Sequence, residues 1–265
     1  MLTKRTKYSR SKAQPYSAAF YDNQQEASLQ SARQMVPLVL EIVGPVRSVV
    51  DVGCGLGTWP RAFNESGIAD AWGIDGSHVD SARLLIPVDK FLKRDLSQPL
   101  KLDRQFDLVV SLEVAEHLPS DAAETLVESL TRLGSLVLFS AAIPFQGGTK
   151  HLNEQWPQYW SKIFEEKGFS LIDCIRRKVW GNPRVQPCYA QNTLLFVKTA
   201  DLANYPSLKA EMGSTKKHQL SVVHPEIYLG VADPRNACFR DALWFLLAVT
   251  KRAVKNRTMH FFVKS

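Results

Sequence analysis

Ser48-Val49-Val50-Asp51-Val52-Gly53-Cys54-Gly55-Leu56-Gly57-Thr58-Trp59 is a β-branched apolar run, one acid, and then glycines at three alternate positions. The run predicts a buried strand, the glycines a tight turn, and the residues after them a helix. Glycine removes the Cβ clash and tolerates the φ/ψ angles that such a turn needs. A ligand can therefore approach bare backbone there and face the first N–H groups of the helix.

Outward from this turn, strands and helices alternate. Strands are expected at 48–52, 71–75, 88–93, 106–111, 136–140, 169–175 and 192–197. Helices are expected at 59–66, 79–85, 120–133 (capped by Ser120) and 156–168 (closed by Gly168). This pattern argues for a doubly wound parallel sheet with helices on both faces, which binds ligands beyond the carboxyl ends of its strands. Asp51, Asp75, Asp95 and Glu113 all fall at such ends.

Upstream, residues 1–22 form a basic arm. Residues 24–43 carry Leu29, Ala32, Met35, Val36, Val39, Leu40 and Val43 at helical spacing, with Pro37 either kinking the helix or starting a second one. After residue 199 the alternation stops. Residues 237–255 read as a helix with Phe239, Leu243, Leu246, Leu247, Thr250 and Val254 on one face and basic residues at its end. Docking on the domain or in a dimer is the first expectation for it; peripheral membrane contact through 238–257 is the second. The organisation expected is an N-terminal arm and helix (1–45), the main domain (46–198) and a C-terminal helical extension (199–265).

The 265 residues are 45% hydrophobic and 22% charged, as in a globular protein. The net charge of +7 is concentrated at the two ends. Cys54, Cys174, Cys188 and Cys238 show no metal-ligand or redox spacing, and a reducing cytoplasmic compartment is expected, with the inner face of the membrane as an adjunct. The polar N-terminus carries no apolar signal region, and no run is long enough to span a bilayer.

The turn departs from the dinucleotide fingerprint Gly-x-Gly-x-x-Gly, since its glycines fall at 53, 55 and 57 with Asp51 before them. An acid there repels phosphate and suits an ammonium group. The motif resembles the first motif of the class I S-adenosylmethionine-dependent methyltransferases, over about residues 46–198. The resemblance implies a Rossmann-like, seven-stranded sheet and a cofactor site of Asp51, Gly53, Cys54, Gly55, Gly57, Asp75, Asp95 and Glu113. Asp75, about twenty residues after the turn, is placed for the ribose hydroxyls. Asp95 would accept from the adenine amino group.

A second constellation is Glu113-Val114-Ala115-Glu116-His117. On a helical turn, Glu113, Glu116 and His117 share a face. Two carboxylates and an imidazole converging there would be reconciled by a divalent cation, with His151 as fourth ligand. The pattern resembles the Glu-x-x-Glu-His part of ubiquinone-pathway O-methyltransferases and, with the distal His, small-RNA terminal 2′-O-methyltransferases. That resemblance implies Mg2+ on the acceptor hydroxyls. Without a metal, His117 or His151 would be the general base.

The nucleic-acid-binding module of the small-RNA enzymes has no counterpart here, and residues 140–200 hold no basic stripe with interleaved aromatics. Trp156, Trp180, Tyr189, Gln191 and Asn192 instead resemble bacterial methyltransferases of polysaccharide and glycan modification. Aromatic faces suit sugar rings and amides suit paired hydroxyls. The function expected is therefore O-methylation of a sugar or glycan-linked acceptor. Methylation of an RNA terminal 2′-hydroxyl and a non-catalytic S-adenosylmethionine-binding protein are the alternatives. A small-molecule or glycan substrate is the partner expected, ahead of nucleic acid.

Overall fold

Strand β1 (Ser48–Val52) lies inside the sheet, and four of its five residues are buried. A strand covered on both faces needs apolar residues pointing both ways, which Val49, Val50 and Val52 supply around Asp51. Around it lie β2 (Asp70–Asp75), β3 (Phe91–Lys93), β4 (Leu108–Leu112), β5 (Leu136–Ser140), β6 (Phe169–Ile172) and β7 (Leu194–Lys198), in the order β3-β2-β1-β4-β5-β7-β6. β1 through β5 pair in parallel, whereas β7 runs antiparallel to both β5 and β6. The expected seven-stranded, Rossmann-like sheet is present, but its last inserted strand is reversed.

This computed structural model describes residues 18–233 together with 236, 242, 243, 245–247 and 249–252, with side-chain surroundings from residue 25 onward. Of the basic arm expected over 1–22, residues 1–17 lie outside the described residues and 18–22 are helical instead, while much of the helix expected at 237–255, Phe239 and Val254 included, also lies outside them. The described positions from 242 to 252 are helical. Two compact units emerge: Lys12–Ile227, and a smaller one to which the described residues from Tyr228 on belong.

One face of the sheet is covered by helices α1 (Ala18–Val43) and α2 (Thr58–Glu65). α1 continues through Pro37 as a single helix, and buries Leu29, Met35, Val36, Val39 and Ile42. Each such side chain contributes roughly 1.5–3 kcal/mol on burial, which outweighs the cost of one interior proline, about 3 kcal/mol. The other face is covered by α3 (Ala123–Leu133) and α4 (Pro157–Glu166). There Phe164 stacks on Phe196 at 3.9 Å between centroids. Gly168, at φ 81°, ends the α4 region as expected.

Several local expectations are corrected. The 79–85 helix is a single 3-10 turn, Ser81–Arg83, because Val79 turns inward to pack with Cys54, Ile86 and Phe91. The third strand is trimmed to its last three residues by a 3-10 turn at Val88–Lys90. Asp107 is not in a strand: its carboxylate accepts from the backbone N–H groups of Arg47 and Ser48 and fixes the start of β1. Ser120 opens a 3-10 turn, and no side chain caps α3. Two short helices, α5 (Arg176–Val179) and α6 (Pro187–Asn192), precede β7, and α6 takes in Asn192, where the last strand was expected to begin. After β7 come α7 (Pro206–Met212) and α8 (Pro225–Ala232), and Leu202, Leu208 and Leu220 are buried in the two main cores.

Candidate active site

The glycine turn joins β1 to α2, and each glycine in it has positive φ: 89° at Gly53, 54° at Gly55 and 86° at Gly57. Two of them differ in what replaces them. A Cβ on Gly53 would lie 2.3 Å from Val114 Cγ2, whereas a Cβ on Gly55 would meet no atom within 4 Å. Gly53 thus permits the segment after β4 to press on the turn, while Gly55 presents bare backbone to open space. Gly57 occupies the N-cap of α2 in the left-handed region.

Asp75, the last residue of β2, holds this turn. Its Oδ2 accepts from Gly55 N–H at 2.7 Å and its Oδ1 from Gly76 N–H at 2.6 Å. A carboxylate has about four acceptor sites, so capacity remains for vicinal hydroxyls. Asp51 is 2% exposed, and its Oδ2 has no hydrogen-bond partner. Burial, reinforced by the charge of Asp75, pushes its pKa well up. A buried, unpartnered carboxylate is costly unless a cation arrives. The open side of Gly55, the spare sites on Asp75 and the orphaned Asp51 oxygen fit a ligand carrying an ammonium group and a ribose.

Two other expected cofactor residues behave differently. The thiol of Cys54 points into the cluster of Val79, Ile86 and Phe91 and packs on Gly73. Its role is steric: a Cβ on Gly73 would lie 2.6 Å from Cys54 Sγ. Asp95 is exposed, and its Oδ1 accepts from both the backbone N–H and the hydroxyl of Ser97.

The second constellation is built on the chain leaving β4. Glu113 sits at φ 56°, and the helical turn is a 3-10 turn over Ala115–His117. The left-handed residue breaks the helical geometry assumed for positions 113, 116 and 117. Glu113 is therefore not in the cluster that could ligate a metal. Its Oε1 accepts from Asn192 Nδ2 at 3.0 Å and its Oε2 from Gln146 Nε2 at 2.9 Å. Gln191 ties this network together by donating to Gln146 and Asn192. Burial raises the Glu113 pKa, and the donors from Asn192, Ser140 and Gln146 oppose that rise.

Glu116, His117 and His151 do converge: one donor atom from each lies within 4.8 Å of the others. The rings of His117 and His151 meet edge-on at 4.9 Å. Glu116 is 1% exposed with Oε2 unpartnered, and burial together with the charge of Glu113 pushes its pKa well up. His117 is exposed at the rim, yet partial desolvation and His151 lower its pKa, while Asp75 pulls the other way. Val114, which leads into the Ala115–His117 turn, packs on Gly53, so the cluster lies beside the glycine turn. His151 Nδ1 is 2.8 Å from Glu154 Oε1, which orients the ring. The backbone N–H groups of Leu152 and Asn153 both donate to the Glu116 carbonyl, fastening the two loops together. An orphaned buried carboxylate oxygen facing two imidazoles fits a divalent cation.

Gln146 and Val114 were not singled out from the sequence, and a lone loop amide carries no spacing signal that would find it. The residues assigned to a sugar ligand are also corrected. Gln191 and Asn192 are buried and spend their amides on Glu113 and on each other, and Gln191 also accepts from His224 N–H. Tyr189 is buried, hydrogen-bonded to Ser28 and packed edge-on against Trp59. Trp160 is core, whereas Trp156 is 40% exposed.

A family model described as "Methyltransferase domain" matches residues 21–173. Among solved structures, the chain is similar to DesVI of Streptomyces venezuelae, at 14% identity over 68% of this chain and 95% of that one, with a TM-score of 0.51. It is also similar to the magnesium protoporphyrin IX methyltransferase ChlM of Synechocystis PCC 6803 with bound SAH, at 20% identity over 69% of this chain and 89% of that one, with a TM-score of 0.50. At these identities the likeness is one of fold. No curated protein matches the chain.

Proposed function

The chain belongs to the methyltransferase domain family, and we propose that it transfers a methyl group from S-adenosylmethionine to a hydroxyl of a sugar or glycan-linked acceptor. The observation that carries this reading is the convergence of Glu116, His117 and His151 beside the glycine turn. In this reading Asp51 answers the ammonium of the cofactor, Asp75 its ribose hydroxyls and Asp95 its adenine edge. Gly53, Gly55 and Gly57 leave the backbone bare for it.

The cluster is assigned to the acceptor. Glu116, His117 and His151 would hold a divalent cation. When bound, such an ion lowers the pKa of a coordinated hydroxyl and orients its oxygen. Two imidazoles and one carboxylate suit an ion such as Mn2+ better than Mg2+, since Glu113, the further oxygen ligand that Mg2+ would want, is already held by two amides. Without the ion, His117, exposed at the rim and with its pKa lowered by desolvation and by His151, is the group that would take the acceptor proton. His151, oriented by Glu154, keeps its ring fixed against it. Trp156, exposed on the neighbouring loop, offers an aromatic face to a sugar ring.

The test is methyl transfer from labelled cofactor into fractionated cell extract, with and without chelator. Chelator-sensitive label in carbohydrate is the expected result. Carbohydrate label that survives the chelator would remove the metal and leave His117 as base. Label confined to RNA would replace the glycan acceptor by an RNA hydroxyl, and absence of cofactor binding by calorimetry would reduce the chain to a non-catalytic relative.

A further inference from the structure

Residues 242–250, Ala-Leu-Trp-Phe-Leu-Leu-Ala-Val-Thr, hold no charge, and Lys251 and Arg252 follow them directly. From residue 228 to the end the chain carries seven Lys and Arg against two Asp. The described positions of the run are helical, and their large side chains stand in solvent: Leu243 is 45% exposed, Phe245 67%, Leu246 59%, Leu247 52% and Val249 50%. At 100° per residue, Leu243 and Leu247 point one way and Phe245 and Val249 nearly the opposite way. The sequence had suggested a single apolar stripe, of the kind that docks on a domain. The exposed residues instead surround the helix, and a helix apolar all round belongs inside protein or in lipid.

We propose that this segment is a monotopic anchor that inserts into an anionic membrane surface. Nine residues at helical rise reach about 13 Å, less than half of the roughly 30 Å hydrocarbon core, and among the described residues no helix is long and apolar enough to cross a membrane. The segment therefore enters one leaflet. Lys251 and Arg252 sit at its C-terminal end, both exposed, where their stems extend along the acyl boundary and their charges meet acidic headgroups. Lys255, Arg257 and Lys264 add to the same sign of charge in sequence. A nucleic acid would use the cations but has no use for five exposed apolar side chains, so lipid is the occupant that both features fit.

The test is flotation of the full chain with vesicles of phosphatidylcholine alone and of phosphatidylcholine doped with phosphatidylglycerol. Binding to the doped vesicles is expected, with little to the neutral ones. Lys251→Ala and Arg252→Ala should each weaken it by roughly fivefold. Phe245→Asp with Leu246→Asp should abolish it while leaving the unfolding midpoint and cofactor binding at their wild-type values, because both side chains are exposed. Failure of the wild-type chain to float with either vesicle overturns the proposal. So does full vesicle binding by the Phe245→Asp, Leu246→Asp variant. If that variant instead abolishes self-association seen by sedimentation, with no flotation in the wild type, the surface is a dimer contact and the proposal is wrong. Salt-sensitive binding to single-stranded RNA without flotation also overturns it.

Discussion

Gly53→Ala should unfold this protein far more readily than Gly55→Ala, although both add one methyl group to the same turn. At Gly53 the new Cβ would lie 2.3 Å from Val114 Cγ2 and 2.6 Å from Cγ1, where carbon atoms prefer about 3.5–4.0 Å. Val114 is 8% exposed and β-branched, so it has little freedom to turn aside. Overpacking of this kind costs about 1–3 kcal/mol, and the left-handed φ adds about 1–2 kcal/mol, for a total on the order of 2–5 kcal/mol. At Gly55 only the φ term applies, because no atom lies within 4 Å of its Cβ. Urea unfolding of the two variants measures the difference. Adding Val114→Ala to Gly53→Ala removes both offending carbons and should return about 1–3 kcal/mol as a coupling energy. Equal destabilisation of the two glycine variants, or no coupling to Val114, would refute the packing argument. Gly55→Ala carries a second expectation: its methyl projects into the space assigned to the cofactor, so affinity for S-adenosylmethionine should fall at least about tenfold in a protein that still folds.

Burial raises the pKa of Asp51, so the free folded chain holds that proton more tightly than the unfolded one. Stability of the free protein should therefore decline as pH rises from the ordinary carboxylate range towards the raised value. Cofactor affinity should move the other way, weakening about tenfold per pH unit below that value; calorimetry across pH should show this slope, and Asp51→Asn should flatten it. His151→Ala should abolish Mn2+ binding measured by calorimetry while sparing cofactor affinity; retained Mn2+ binding would remove the cluster from metal chemistry. Arg176 is 3% exposed, pairs with both oxygens of Asp173 and donates to the carbonyls of Gln191 and Leu220. Arg176→Ala should cost about 3–5 kcal/mol in urea unfolding by leaving Asp173 unpaired; a loss under about 1 kcal/mol would mean that water replaces the pair.

The parallel half of the fold was legible because doubly covered strands need apolar residues on both faces, and β1, β4 and β5 are mostly Val, Leu and Phe. The direction of β7 was not, since an apolar run of four residues reads the same both ways. Pro187 at the start of α6 is a helix-opening residue, but six residues are too few for a periodic signal. In the site, the glycine turn and the acids at the strand ends were visible because each is a local demand of backbone geometry. Glu113 misled because a spacing of three and four presumes helical φ, and this residue adopts 56°. What holds it, Gln146 and Asn192, lies 33 and 79 residues away, and only the folded chain brings them together.

The reversed strand has a consequence for how this protein can be made. β7 lies between β5 and β6, so when a ribosome has delivered residues up to 173, β6 has no neighbour and β5 presents a bare edge. The region matched by the family, 21–173, is a unit of ancestry but stops short of a closed sheet. Unpaired edges of this kind invite association with other chains. Asn192, one of the two amides that hold Glu113, also emerges with α6, so both the sheet and the Glu113 network wait on the same late stretch of translation.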